Sequence, residues 1–125
     1  MNTPGIRFAN VEWNANLALA NIILAADARN DCLLLHRMSR ALSELEKLLP
    51  FLTRNYLDSR NNGEKHRLAL RMRDAHTRLA QLSRSRRVEN LWRIPMLKPL
   101  LNRLRKTTEE LENVLEEMFV VVGPN

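Results

Sequence analysis

Leu97, Leu104, Leu111 and Met118 recur at seven-residue intervals, with Leu100, Val114 and Val121 at the companion positions. Leu101 and Leu115 widen the seam. Apolar residues spaced this way share one face only on a helix, and the width of the face suits packing in a bundle. The pattern predicts a helix over about 96–121, closed by Gly123 and Pro124. Earlier parts of the chain repeat the theme. Leu68, Met72, Ala75, Leu79 and Leu82 predict a helix over about 64–92. Leu34, Met38, Ala41, Leu42, Leu45 and Leu48 begin an apolar face that runs on through Leu49 and Leu52 to Tyr56, predicting a helix over about 31–60. Pro50 removes one backbone donor inside that run. Because the stripe resumes in phase, the expectation is one helix kinked at Pro50.

The first helix is expected over about 9–29, after a lead-in over 1–8 that lacks periodicity. Trp13, Leu17, Ala20 and Leu24 fall on one stripe, which Leu19 and Ile23 widen, and this is the face expected in the core. Between Val11 and Ala26 the only charge is Glu12. A helix so poor in charge is either central in the bundle or covered by a partner. Asn30 and Asp31 supply capping chemistry for the second helix. Asn61, Asn62 and Gly63 are expected to end it, with Gly63 left-handed.

Only three glycines and one tyrosine occur in 125 residues, and 45% of the chain is apolar. Disorder is excluded on that balance, and the length suits one core. The fold class is therefore all-α: a single domain over 1–125, packed as an up-and-down four-helix bundle. The sequence is also compatible with being the N-terminal part of a longer protein.

Charge is distributed unevenly. Between 84 and 106 lie Arg84, Arg86, Arg87, Arg93, Lys98, Arg103, Arg105 and Lys106 against one acid, Glu89, a local charge of +7. The whole chain carries +6, so the remainder is close to neutral. Pro95 and Pro99 bend this segment, which predicts a compact cationic pole at two neighbouring helix ends. On the last helix Arg103, Arg105 and Lys106 precede Glu109, Glu110, Glu112, Glu116 and Glu117, against the helix dipole. An antiparallel neighbour carrying Arg67, Arg71 and Arg73 is expected to answer the acidic half, leaving the basic half unanswered. Trp92 and Ile94 lie between the cations, and an amphipathic ring there suits a membrane interface or a stacked base.

Catalytic chemistry leaves little trace. There is no Gly-rich phosphate loop, no HExxH pair and no nucleophile elbow. The three histidines are scattered, so neither a metal site nor a cofactor is expected. HEPN-type RNases, themselves helical bundles, place four to six residues between an Arg and a His; Arg71 and His76, Arg60 and His66, and Arg29 and His36, with four, five and six residues between them, match that spacing. With sixteen arginines, about one match arises by chance. Cys32, the single cysteine, excludes an internal disulfide and fits a reducing compartment. It is expected as a small buried apolar residue.

Residues 30–49, NDCLLLHRMSRALSELEKLL, and 70–87, LRMRDAHTRLAQLSRSRR, resemble the second and third helices of the bundle at the N-terminus of mixed lineage kinase domain-like pseudokinase. Fungal HeLo and plant RPW8-like domains are related bundles. The likeness lies in a Cys followed by spaced leucines leading to a Pro, and in an Ala-His-x-x-Leu run before a basic stretch; it covers about 30–119. It implies a self-associating, non-enzymatic module that serves regulated cell death or immune signalling and binds anionic phospholipid through basic residues. The Asn-rich first helix departs from the pore-forming variants.

The expected function is a cytoplasmic interaction module, peripheral to membranes when engaged. Its basic pole would bind an anionic membrane surface or an acidic protein partner, with a homo-oligomer as a further expectation and no small-molecule substrate. The alternatives are nucleic-acid binding through the same arginines and a HEPN-like RNase.

Overall fold

The computed structural model describes residues 11–122, and side chains through Val120. The lead-in over 1–8, the helix start at 9, the Val121 side chain and the stop at Gly123 and Pro124 lie outside the described residues. Among the described residues six α-helices follow one another: α1 (Val11–Ala26), α2 (Asp31–Leu48), α3 (Arg54–Asp58), α4 (Asn62–Ser83), α5 (Arg86–Leu91) and α6 (Lys98–Val122). Every one of them contributes to a single core, from Val11 and Leu34 through Tyr56, Leu68 and Val88 to Leu101. The all-α fold class is as expected.

α2 presents the face read from the sequence, with Leu34, Met38, Ala41, Leu42, Leu45 and Leu48 buried. Burying each leucine contributes about 1.5–3 kcal/mol. Asn30 caps the helix, accepting from the Leu33 amide at 2.9 Å. At Pro50 the chain does not kink and continue. α2 ends at Leu48, a 3-10 turn covers Leu49–Phe51, and Leu52 takes ψ 57°, outside any helix. Thr53 then caps a new helix by accepting from the Tyr56 amide. The apolar stripe stays in phase across the break because Leu52, Tyr56 and Leu57 beyond it are buried in the same core as the α2 leucines before it. A short separate helix delivers them to the same core.

Two other boundaries differ from expectation. Gly63 does not terminate a helix: Asn61 caps α4, accepting from the Glu64 amide at 2.8 Å, and Gly63 lies in the first turn. The helix expected over 64–92 divides at Arg84, because the Ser85 hydroxyl accepts from the Val88 amide and starts α5.

The largest departure concerns α1. Its buried residues are Val11, Ala15, Ala18, Ile22 and Ala25, while Trp13 is 64% and Leu24 45% exposed. Of the stripe expected in the core, Trp13, Ala20 and Leu24 face outward, while Leu17, Leu19 and Ile23 are half-buried. Alanine, with no side chain beyond Cβ, lets α1 approach α2 closely, and that approach selects the small-residue face. Asn14 donates to the Glu44 carboxylate at 2.7 Å, and Arg37 to the Leu24 carbonyl at 3.0 Å, so α1 and α2 run antiparallel. Cys32, expected buried, is exposed on the first turn of α2.

α1 packs on α2 and α4, and α6 packs on α4, α2 and α3. Leu19 lies with Leu70, and Ile22 and Ala26 with Gln81 and Leu82, so α1 and α4 run parallel. The four long helices thus close a ring in the order α1, α2, α6, α4. The chain crosses the diagonal between α2 and α4, using the turn and α3 as its bridge. This is not the simplest up-and-down order, in which each helix lies beside its predecessor. Among the described residues no helix is long and apolar enough to cross a membrane.

Candidate functional site

The segment 84–106 occupies the end of α4, all of α5, the connection that follows and the first turns of α6. Ser85 caps α5, and Val88 and Leu91 anchor it in the core. After Trp92 the backbone turns extended at Ile94, and Pro95 opens a 3-10 turn over Pro95–Leu97 that leads into α6. A proline fits at such a start because its missing donor would be unpaired there anyway.

The eight basic residues divide into two groups. Four have partners within the chain. Arg87 donates to the Ala28 carbonyl at 2.7 Å and reaches Asp31 at 3.4 Å, tying α5 to the α1–α2 turn. Arg103 grips both carboxylate oxygens of Glu46 on α2, at 2.7 and 3.0 Å. That bond holds the Arg103 guanidinium more firmly protonated than usual, against a smaller opposing effect of burial. Arg105 lies over the Trp92 ring, 4.5 Å from its centroid. Its charge stays available, since a ring face attracts a cation without neutralising it. Lys106 sits loosely beside Glu110, at 3.9 Å.

Arg84, Arg86, Arg93 and Lys98 are exposed, and none forms an ion pair among the described residues. Between Arg93 and Lys98 the chain projects the two apolar side chains Ile94, 46% exposed, and Met96, 86% exposed. Met96 is the most exposed large apolar residue among those described. The sequence offered no sign of this. Pro95 and Pro99 on either side remove Met96 from any helical period, so it belonged to no stripe. Trp92 is half-buried and packs on the core, with Arg105 covering one face, so Ile94 and Met96 form the apolar tip in its place.

The acidic half of α6 is not answered as expected. Arg67 and Arg71 lie by Leu19 and Asp74 on the α1 side of α4. Only Arg73 reaches α6, over the Phe119 ring at 5.4 Å and beside Glu112 and Glu116. Glu109, Glu112, Glu116 and Glu117 form no ion pair among the described residues. Where α6 passes the end of α2, an open groove of about 440 Å³ has Leu49, Pro50 and Val114 as its apolar surface and Glu46, Glu110 and Glu117 around it.

Of the residues in the RNase-like spacing, Arg60 lies over the Tyr56 ring at 5.0 Å and beside Glu64 at 3.7 Å. The hydrogen bond to Tyr56 raises the Arg60 pKa above the ordinary arginine value. His66 Nδ1 is buried without a hydrogen-bond partner among the described residues. Among the described residues no cluster of His, Cys, Asp and Glu could hold a metal.

No family model matches the chain, and no match is found among curated proteins or solved structures. The structure agrees with the mixed lineage kinase domain-like, HeLo and RPW8 bundles only at the level of an all-helical, multi-helix domain.

Proposed function

We propose that the chain is a non-enzymatic helical interaction module whose 84–98 region engages an anionic membrane surface. The observation that carries this reading is that Met96 and Ile94, both exposed, are flanked by the exposed Arg93 and Lys98, with Arg84 and Arg86 exposed earlier in the same stretch and none of the four in an ion pair among the described residues. A protruding apolar tip can enter the headgroup layer while the cations around it meet lipid phosphates. Each such cation contributes about 1 kcal/mol near an anionic leaflet. The tip is aliphatic and the one aromatic ring nearby is half-buried under Arg105, which favours lipid over nucleic acid, where base stacking would be the main contact.

Co-sedimentation with phosphatidylserine and phosphoinositide vesicles tests this. Wild type should pellet with anionic vesicles, stay in solution with zwitterionic ones, and release as salt shortens the Debye length to about 3 Å near 1 M. The variant carrying Arg86→Glu, Arg93→Glu, Met96→Asp and Lys98→Glu should lose binding with its melting temperature unchanged. Equal pelleting of that variant would overturn the reading. A mobility shift with RNA at low salt, absent lipid binding, would transfer the site to nucleic acid.

A further inference from the structure

The basic apolar tip and the acidic apolar groove are complementary, and they sit on different parts of one molecule. The tip offers Met96 and Ile94 between Arg93 and Lys98. The groove offers Leu49, Pro50 and Val114 beneath Glu110 and Glu117. Glu46 at its edge is held by Arg103 and Glu110 loosely by Lys106, whereas Glu117 has no ion pair among the described residues. The groove's volume, about 440 Å³, has room for a methionine side chain and its neighbours.

A molecule cannot seat its own tip in its own groove. Leu97 packs on the core and holds the tip at the start of α6. Glu110 lies about 18 Å further along the same helix at the usual rise per residue.

From this the geometry points to head-to-tail self-association, in which the Arg93–Lys98 tip of one copy enters the Leu49, Pro50 and Val114 groove of the next. Met96 fills the apolar floor, and Arg93 and Lys98 face Glu110 and Glu117. Such a contact uses different surfaces on the two copies, so it propagates into a ring or a filament instead of closing as a symmetric pair. The contact does not rest on membrane binding, although both use the tip. A tip seated in a groove is unavailable to lipid, so assembly and membrane engagement compete.

Sedimentation velocity on the full chain, at low salt and rising concentration, tests the proposal with two variants. One carries Met96→Ser with Lys98→Ser in the tip; the other carries Glu110→Gln with Glu117→Gln in the groove, at exposed positions on α6, so that the two altered surfaces offer each other no opposite charge. Wild type should form species larger than a dimer that dissolve in high salt. Each variant alone should weaken association by about tenfold or more, with helical circular dichroism unchanged. Mixing the two should restore a one-to-one dimer and nothing larger, since one intact tip then meets one intact groove. Monomeric wild type, a single variant that assembles like wild type, or a mixture that stays monomeric would each overturn the proposal. The groove variant keeps its tip, so its pelleting with anionic vesicles reports on the membrane reading alone.

Discussion

The Arg103 guanidinium on α6 meets the Glu46 carboxylate on α2 through two parallel hydrogen bonds, at 2.7 and 3.0 Å, joining residues 57 positions apart. Both side chains are more than a third exposed, so solvent screens the pair and its coupling should not exceed about 1 kcal/mol. A double-mutant cycle with Arg103→Ala and Glu46→Ala measures that coupling, which should shrink in 1 M salt.

The same pair makes a pH prediction. Bonding to Glu46 raises the Arg103 pKa above its value in the unfolded chain. The stabilisation is therefore fully present below the unfolded value and is lost only as pH rises through the higher folded one. Both lie in strongly alkaline solution, so the difference in unfolding free energy between wild type and Arg103→Ala should stay level from about pH 7 to pH 10. A decline within that range in urea unfolding would contradict the assignment.

Arg86 and Arg87 are adjacent, yet Arg87 bonds across the fold and Arg86 is exposed. Arg87→Ala removes the donor to the buried Ala28 carbonyl and should cost about 1–2 kcal/mol in denaturant unfolding. Arg86→Ala should change stability by less than about 0.5 kcal/mol. Arg86 alone should then affect vesicle binding without affecting the fold.

Gly63→Ala separates the two descriptions of that residue. In the first turn of α4 an added Cβ meets only the Asn61 side-chain oxygen, at an ordinary 3.4 Å. The substitution should raise stability by about 0.5 kcal/mol, since it restricts the unfolded chain. A left-handed Gly63 would instead be destabilised by the same change, and thermal melts distinguish the signs.

For α1, Ile22→Ala should cost about 2–5 kcal/mol, because Ile22 is fully buried. Trp13→Ala should cost less than about 0.5 kcal/mol. Acrylamide should quench the fluorescence of Trp13 more readily than that of half-buried Trp92, and Trp13→Phe should abolish the accessible fraction.

Much of the helical content was legible along the chain. The leucines of α2 and the seven-residue seam of α6 identify their buried faces, because regular apolar spacing is a property of the local sequence. Asn30 was legible as a cap for the same reason. The break at Pro50 is not legible, because Thr53, which caps α3, lies within a stripe that stays in phase across it.

The sequence by itself therefore determined that this chain is helical, roughly where its helices run, and that its excess positive charge lies between 84 and 106. Tertiary structure alone decided the rest. Helix approach turned the alanines of α1 inward and Trp13 outward, and the bridge over 49–61 carried α4 across the diagonal. Pairing across the fold withdrew Arg87 to Ala28 and Arg103 to Glu46, contacts between residues more than fifty positions apart. Local periodicity carries no record of such distant partners, so only the packed molecule distinguishes the cations that hold the fold from those that form no ion pair among the described residues.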